Sequence, residues 1–238
     1  MRFSTLDIEF ADVILPSICS ISIIDWDDSG ITNQYSTYIN PDCEIDEYFK
    51  DRHKITLEQT KTSPLIGEAW IDIFNHLENR IIFSHYANRN IRALKSLADI
   101  NYLNMPPLIY CCSASISRKL WPYFKNDTLP EITERLGIST THFNSLEDAK
   151  SVGYIVKKAM NDMEIDSLPE LFDKIGFTGG IVKEGERYIY RAIKKESGYL
   201  ARVKDENNIY GIDWIKANYY QEDKDIIKNS LFFLERRT

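Results

Sequence analysis

Phe3-Ser4-Thr5-Leu6-Asp7-Ile8-Glu9-Phe10 sets two carboxylates two residues apart inside an apolar run. In a β-strand the side chains at i and i+2 share a face, so Asp7 and Glu9 point the same way. Two like charges held together beside a sheet raise each other's proton affinity unless a positive charge sits between them. Clustered carboxylate oxygens are what a hard divalent cation binds. An edge strand with one solvated face would carry the same eight residues, so the rest of the chain has to decide between a metal site and a wet edge.

Beyond that strand, Ser17-Ile18-Cys19-Ser20-Ile21-Ser22-Ile23-Ile24 alternates with period two, as a half-buried strand does. Asp27-Asp28-Ser29-Gly30 reads as a turn, and Gln34 to Ile39 alternates again before Asn40-Pro41. Three strands joined by short turns make an antiparallel meander with Asp7 and Glu9 on its first strand. Residues 44–63 read as polar and irregular, with His53 in a surface loop. From Pro64 the pattern is helical, with Leu65, Ala69, Ile73 and Leu77 along one face. Ile81 to Ser84 and Leu108 to Cys112 read as short buried strands, and 90–97, 113–120, 129–136 and 146–160 as helices. In the last of these, Leu146, Ala149, Gly153, Val156 and Met160 form an apolar stripe, and Asn144 followed by Glu147 is a capping-box arrangement. Glu147 therefore has a local structural task, and Asp148 has none comparable. A meander followed by alternating helices and strands indicates an α/β fold, a mixed sheet flanked by helices.

Past about Asp166 the texture changes. Gly176-Phe177-Thr178-Gly179-Gly180 breaks the pattern, and Tyr188 to Ile193, Tyr199 to Val203 and Ile209 to Ile212 read as strands between turn-like segments. The expected division is a first domain over 1–163 and a small β-rich C-terminal domain over 164–238, near the size at which a domain can just fold alone. Its aromatic and basic mix (Tyr188, Tyr190, Arg191, Tyr199, Arg202, Lys204) suits stacking and holding a single strand. An ordinary strand surface docked on the first domain, or a surface for a protein partner, fits the same composition.

Across 238 residues, 43% hydrophobic and 27% charged residues are ordinary for a globular protein. No apolar run approaches a membrane span, and the first residues lack the basic and apolar regions of a signal peptide. The expectation is a cytoplasmic protein with no membrane partner. Four cysteines without zinc spacing fit buried thiols. A net charge of −7 argues against binding nucleic acid by broad phosphate neutralisation, but not against a nuclease, whose site is acidic before metal arrives.

Four blocks now stand in order: Leu6-Asp7-Ile8-Glu9; Phe83-Ser84-His85-Tyr86-Ala87-Asn88-Arg89-Asn90; Thr128-Leu129-Pro130-Glu131-Ile132 with Leu136-Gly137-Ile138; and His142-Phe143-Asn144-Ser145-Leu146-Glu147-Asp148-Ala149. Over roughly 1–160 this resembles the DEDD superfamily of 3′-5′ exonucleases, in the DEDDh branch that includes proofreading epsilon subunits. The resemblance implies a ribonuclease-H-like fold and hydrolysis assisted by two Mg²⁺ or Mn²⁺ ions, which stabilise the attacking and leaving oxygens. Carried over by position, Asp7 bridges both ions, Glu9 binds one, and Asp148 is a third metal carboxylate. His85 and Phe10 are the candidates for substrate contact, and the 3′ ends of single-stranded DNA or RNA are the implied substrate.

Two positions depart from the family pattern. Asn90 stands where the second motif carries aspartate, and Phe143 stands five residues before Asp148, where the catalytic histidine is expected. Asparagine offers an oxygen without the charge, and phenylalanine cannot accept a proton. His142, one residue away, is the candidate replacement base. An asparagine at that slot is also what a deliberate trapping substitution would leave, although the second departure favours natural divergence. Two readings follow: a metal-dependent 3′-5′ exonuclease with a reduced site, or a pseudo-nuclease that binds nucleic acid or protein without cutting. A purely structural subunit of a larger complex is a third.

Overall fold

The computed structural model describes residues 2–12, 17–78, 80–176 and 179–182, together with the backbone at 189–195, 198–202 and 209–211. In chain order the elements are β1 (Phe3–Asp12), β2 (Ser17–Asp27), β3 (Gly30–Tyr38), α1 (Glu47–His53), α2 (Leu57–Thr60), α3 (Ile66–Leu77), β4 (Ile81–Ser84) and α4 (Ala87–Ile100). These are followed by β5 (Leu108–Cys112), α5 (Ser113–Leu120), α6 (Leu129–Arg135), α7 (Ser145–Asp162), α8 (Leu168–Ile175), β6 (Gly179–Val182), β7 (Ile189–Lys195), β8 (Gly198–Arg202) and β9 (Ile209–Gly211).

The strands form one mixed sheet in the order β3-β2-β1-β4-β5-β6-β7-β8-β9. β1, β4 and β5 run parallel, and the outer pairings are antiparallel. The pleat of β1 sorts its side chains. Leu6, Ile8 and Phe10 enter a core with Trp70 and Ile73 of α3 and Ile91 and Leu94 of α4. Phe3 enters a second core with Trp26, Phe83 and the apolar stripe of α7. Asp7 and Glu9 share the parity of Phe3, so they lie on the α7 side.

β2 departs from its expected half-burial. Its alternation is real, but both faces are covered, because the serines sit under the start of α7. Ser145 Oγ lies 2.7 Å from Ser20 Oγ and 2.8 Å from Ser22 Oγ. Ser22 is the cross-strand partner of Asp7, and Ser20 that of Glu9. These hydroxyls pin the first turn of α7 over the acidic stretch, and Asp148 follows less than one turn later. Further along, α7 approaches so closely that a Cβ on Gly153 would lie 2.1 Å from Trp26 Cζ2.

Residues 44–63 are not irregular. α1 starts where Asp46 accepts the Tyr48 amide at 2.8 Å, and it buries Phe49 and His53. His53 is 7% exposed, not a surface loop residue. Its Nδ1 accepts the Ile55 amide at 3.0 Å, so Nε2 carries the proton and donates to Phe10 O at 3.0 Å. A buried neutral imidazole thus ties α1 to β1, and burial pushes its pKa down.

α8 lay within the stretch expected to begin the appendage. It buries Leu168, Leu171 and Phe172 in the α7 core, and β6 pairs with β5. Gly179 permits that pairing, since a Cβ there would come within 1.6 Å of Tyr110 O. The strands expected beyond it occur as β7, β8 and β9. The aromatic and basic side chains from Tyr188 to Lys204 lie outside the described residues, apart from the backbone of those strands.

Candidate active site

The structure brings Asp7, Glu9 and Asp148 together, with one carboxylate oxygen from each lying within 4.8 Å of the others. β1 supplies the first two through its pleat, and a register shift just after Glu9 separates that pair from the strand's end. α7 supplies the third from its first turn, where Asn144 Oδ1 caps the amides of Leu146 and Glu147 at 3.1 and 3.2 Å. The cap expected from Asn144 is therefore present, while Glu147 turns outward to Lys150 at 2.8 Å.

The three carboxyls share too little positive charge. Burial, then Glu9 and Asp148, push the Asp7 pKa well above the usual carboxylate range. Burial and Asp148 push Glu9 up to about 8, against the pull of Arg52 and Arg89. Burial raises Asp148, opposed by its bonds to His142 and to the backbone. A group of half-buried carboxyls (Asp7 and Glu9) beside a buried one (Asp148), all with raised proton affinity, is suited to a hard divalent cation, whose charge opposes these repulsions.

Asp148 has the local task the sequence did not reveal. Its Oδ2 accepts the Phe143 amide at 3.0 Å, and its Oδ1 lies 2.9 Å from His142 Nδ1. Phe143 has φ 62°, a left-handed conformation uncommon for a bulky residue. That reversal turns His142 inward and leaves the Phe143 ring 40% exposed.

His142 reaches the site, with both ring nitrogens engaged. The Thr133 hydroxyl donates to the carbonyls of Leu129 (2.9 Å) and Pro130 (3.0 Å). The same hydroxyl lies 2.9 Å from His142 Nε2, as donor or acceptor according to the histidine tautomer. His142 Nδ1 and Asp148 Oδ1 then face each other with one proton between them, because two bare acceptors would repel.

Asn90 lies in the first turn of α4, and its Nδ2 donates to Ser84 Oγ at 2.9 Å and to Asp7 Oδ1 at 3.3 Å. It thus faces Asp7 with a donor, where an aspartate would add a fourth carboxylate. His85 is buried, its Nε2 donating to Asp127 O at 2.8 Å and its Nδ1 lying 3.0 Å from Ser113 Oγ. Burial lowers its pKa to about 4, so it is a neutral strut with no nitrogen left for a ligand. Phe10 is 8% exposed beneath the Arg89 guanidinium, which stands 4.3 Å from the ring centroid. Arg52 and Arg89 escaped the sequence reading. Arg52 lies in a stretch that is polar and without clear periodicity, and Arg89 lies inside a motif whose informative letters are His85 and Asn90.

Residues 5–156 match the exonuclease (RNase_T) family model. The DNA polymerase III epsilon subunit of Aquifex aeolicus is 24% identical over 168 residues, covering 68% of this chain and 81% of that protein. The PolC-type DNA polymerase III of Clostridium perfringens is 24% identical over 163 residues, which are 66% of this chain but 11% of that protein. This chain therefore spans a small fraction of the PolC-type relatives. Among solved structures, exonuclease X in complex with 5′ overhanging duplex DNA superposes with TM-score 0.56 at 18% identity, covering 69% of this chain and 94% of that one. E. coli exonuclease I in complex with a dT13 oligonucleotide gives TM-score 0.56 at 13% identity, covering 73% of this chain and 43% of that one.

Proposed function

The chain belongs to the exonuclease family, and on that premise we propose that it is a divalent-metal-dependent 3′-5′ exonuclease of the DEDDh type, acting on the ends of single-stranded DNA or RNA. The observation that carries this reading is the meeting of Asp7, Glu9 and Asp148 within 4.8 Å, with Asp148 about 140 residues after the other two in sequence. Asp7, Glu9 and Asp148 would hold the divalent ion, Mg²⁺ or Mn²⁺. Such ions would supply charge stabilisation for the oxygens of phosphodiester hydrolysis. The dT13 oligonucleotide in the exonuclease I complex and the overhanging duplex in the exonuclease X complex support a nucleic-acid strand as substrate.

The rest of the chemistry falls to this chain's own side chains. His142 shares a proton with Asp148 and is anchored by Thr133, so it orients that carboxylate and does not take a proton from water. Asn90 orients Asp7 through its amide without adding charge. With no base at Phe143, water must be deprotonated by solvent or a weaker group, which forgoes the roughly 10²–10⁴-fold that a positioned base contributes. Slow turnover follows. Residues 164–238 are proposed as the small β-rich unit, anchored on the first body by α8 and β6 and available to a protein partner. Free thiols at all four cysteines suit the cytoplasm.

The test is hydrolysis of a 5′-labelled single strand with Mn²⁺. The expected outcome is slow, stepwise shortening from the 3′ end that disappears in Asp7→Ala. Lack of turnover with any divalent ion overturns the reading. Asn90 and Phe143 favour the alternative, a pseudo-nuclease that binds strands, and that alternative predicts binding without cleavage.

A further inference from the structure

Two guanidinium groups stand at the rim of the acidic site on separate helices. Arg52, in the last turn of α1, lies 5.0 Å from the Phe143 ring centroid and 5.5 Å from that of Tyr48, and donates to Tyr48 Oη at 2.8 Å. Arg89, in the first turn of α4, lies over the Phe10 ring. Both are placed by residues bound to the metal-ligand set: Phe10 follows Glu9, and the Phe143 amide donates to Asp148. Neither arginine has a carboxylate within ion-pair distance among the described residues, whereas Lys61, Lys95, Arg118, Arg135, Lys150 and Lys158 do.

A cation held on an aromatic face keeps its donor edge free. Guanidinium groups are also suited to phosphate, because their paired N–H groups match two phosphate oxygens. The exposed rings of Tyr48 and Phe143 flank Arg52 and offer faces on which bases of a single strand can stack. In a chain of net charge −7, a local pair of cations beside an acidic cluster is what brings an anionic strand to it.

We propose that Arg52 and Arg89 form a two-point clamp for successive phosphates of the substrate strand, with Phe143 and Tyr48 as the stacking surface beside it. The clamp rests on the reading of this site as one that binds a strand. Phe143 thus gains a positive role at the position where a base is missing: it holds Arg52 and a nucleobase. Grip on the strand then does not require metal.

The experiment is binding of a fluorescent oligothymidylate to the full chain in EDTA, across a salt series, for wild type, Arg52→Gln, Arg89→Gln and Lys158→Gln. Lys158 lies about 15 Å along α7 from Asp148 and serves as the charge-matched control. Each arginine variant should bind roughly tenfold more weakly, with a salt slope shallower by about 0.7, and Lys158→Gln should bind as wild type. Phe143→Leu, which keeps bulk but removes the π face, should weaken binding as well. Equal binding by all variants, or a wild type that does not bind without metal, overturns the clamp. Cleavage by a wild type whose arginine variants bind unchanged removes the clamp and leaves the exonuclease. Metal-free binding lost in the variants, in a protein that never cuts, leaves the clamp and removes the exonuclease.

Discussion

At Asn90 and Phe143 the proposed exonuclease site differs by one side chain each from the set that the family resemblance implies. Asn90 presents Nδ2 to Asp7, so Asn90→Asp exchanges a hydrogen bond for a fourth carboxylate. More carboxylate charge tightens a divalent ion. The expected outcome is about tenfold tighter Mn²⁺ binding by titration, with metal-free stability lowered by the added repulsion. At Phe143 the left-handed backbone suits histidine better than phenylalanine. Phe143→His should raise kcat by about 10²-fold or more in single-turnover assays, if base catalysis is what is missing. An unchanged rate would place the limit elsewhere. Both departures were legible as letters in the sequence. Their consequences were not, because the direction of an asparagine amide and the engagement of His142 by Thr133 depend on groups brought together only by folding.

Between helix and sheet, the contact that matters is α7 on β1 and β2, since it sets Asp148 against Asp7 and Glu9. Gly153 allows it. In Gly153→Ala the new methyl meets the buried Trp26 indole, and either the helix lifts or the indole turns. The expected cost is about 1–3 kcal/mol by thermal or denaturant unfolding. Gly67→Ala in α3 is the contrast, because nothing lies within 4 Å of its added Cβ and alanine favours helix, so it should stabilise by about 0.5 kcal/mol. A Gly153→Ala variant as stable as wild type would mean that α7 is not held this closely. The apolar stripe of α7 and the alternation of β1 and β3 were readable from periodicity. The full burial of β2 was not, since Ser20 and Ser22 are polar by letter and are covered only because Ser145 bonds to both. α1 was missed because its seven residues bury Phe49 as their one apolar side chain, beside His53, which is too little to set a helical period. Missing α1 hid Arg52 and misplaced His53.

For the molecule as a whole, the acidic site and the buried histidine strut pull stability in opposite directions with pH. Glu9 titrates near 8 in the folded chain against 4.5 unfolded. Its raised pKa contributes stability that is fully present below about 4.5 and lost as pH rises through 8, and Asp7 and Asp148 act with the same sign. His85 is depressed from 6.5 to about 4, so its contribution is present above 6.5 and lost as pH falls toward 4. At about 1.4 kcal/mol per pH unit, each effect is worth a few kcal/mol, discounted for the partial exposure of Glu9. Between pH 6 and 8 only the carboxyl effect changes strongly, so the metal-free protein should melt lower at pH 8 than at pH 6. A divalent ion binds the deprotonated carboxylates and stabilises by mass action. Mn²⁺ should therefore raise the melting temperature more at pH 8 than at pH 6, and Asp7→Asn should lower the metal-free pH dependence and the metal response together. Melting temperatures indifferent to Mn²⁺ at both pH values would mean that the three carboxyls meet without holding a cation. The repulsion among them would then be an uncompensated cost, which a family member that neither binds metal nor cuts has no physical reason to keep.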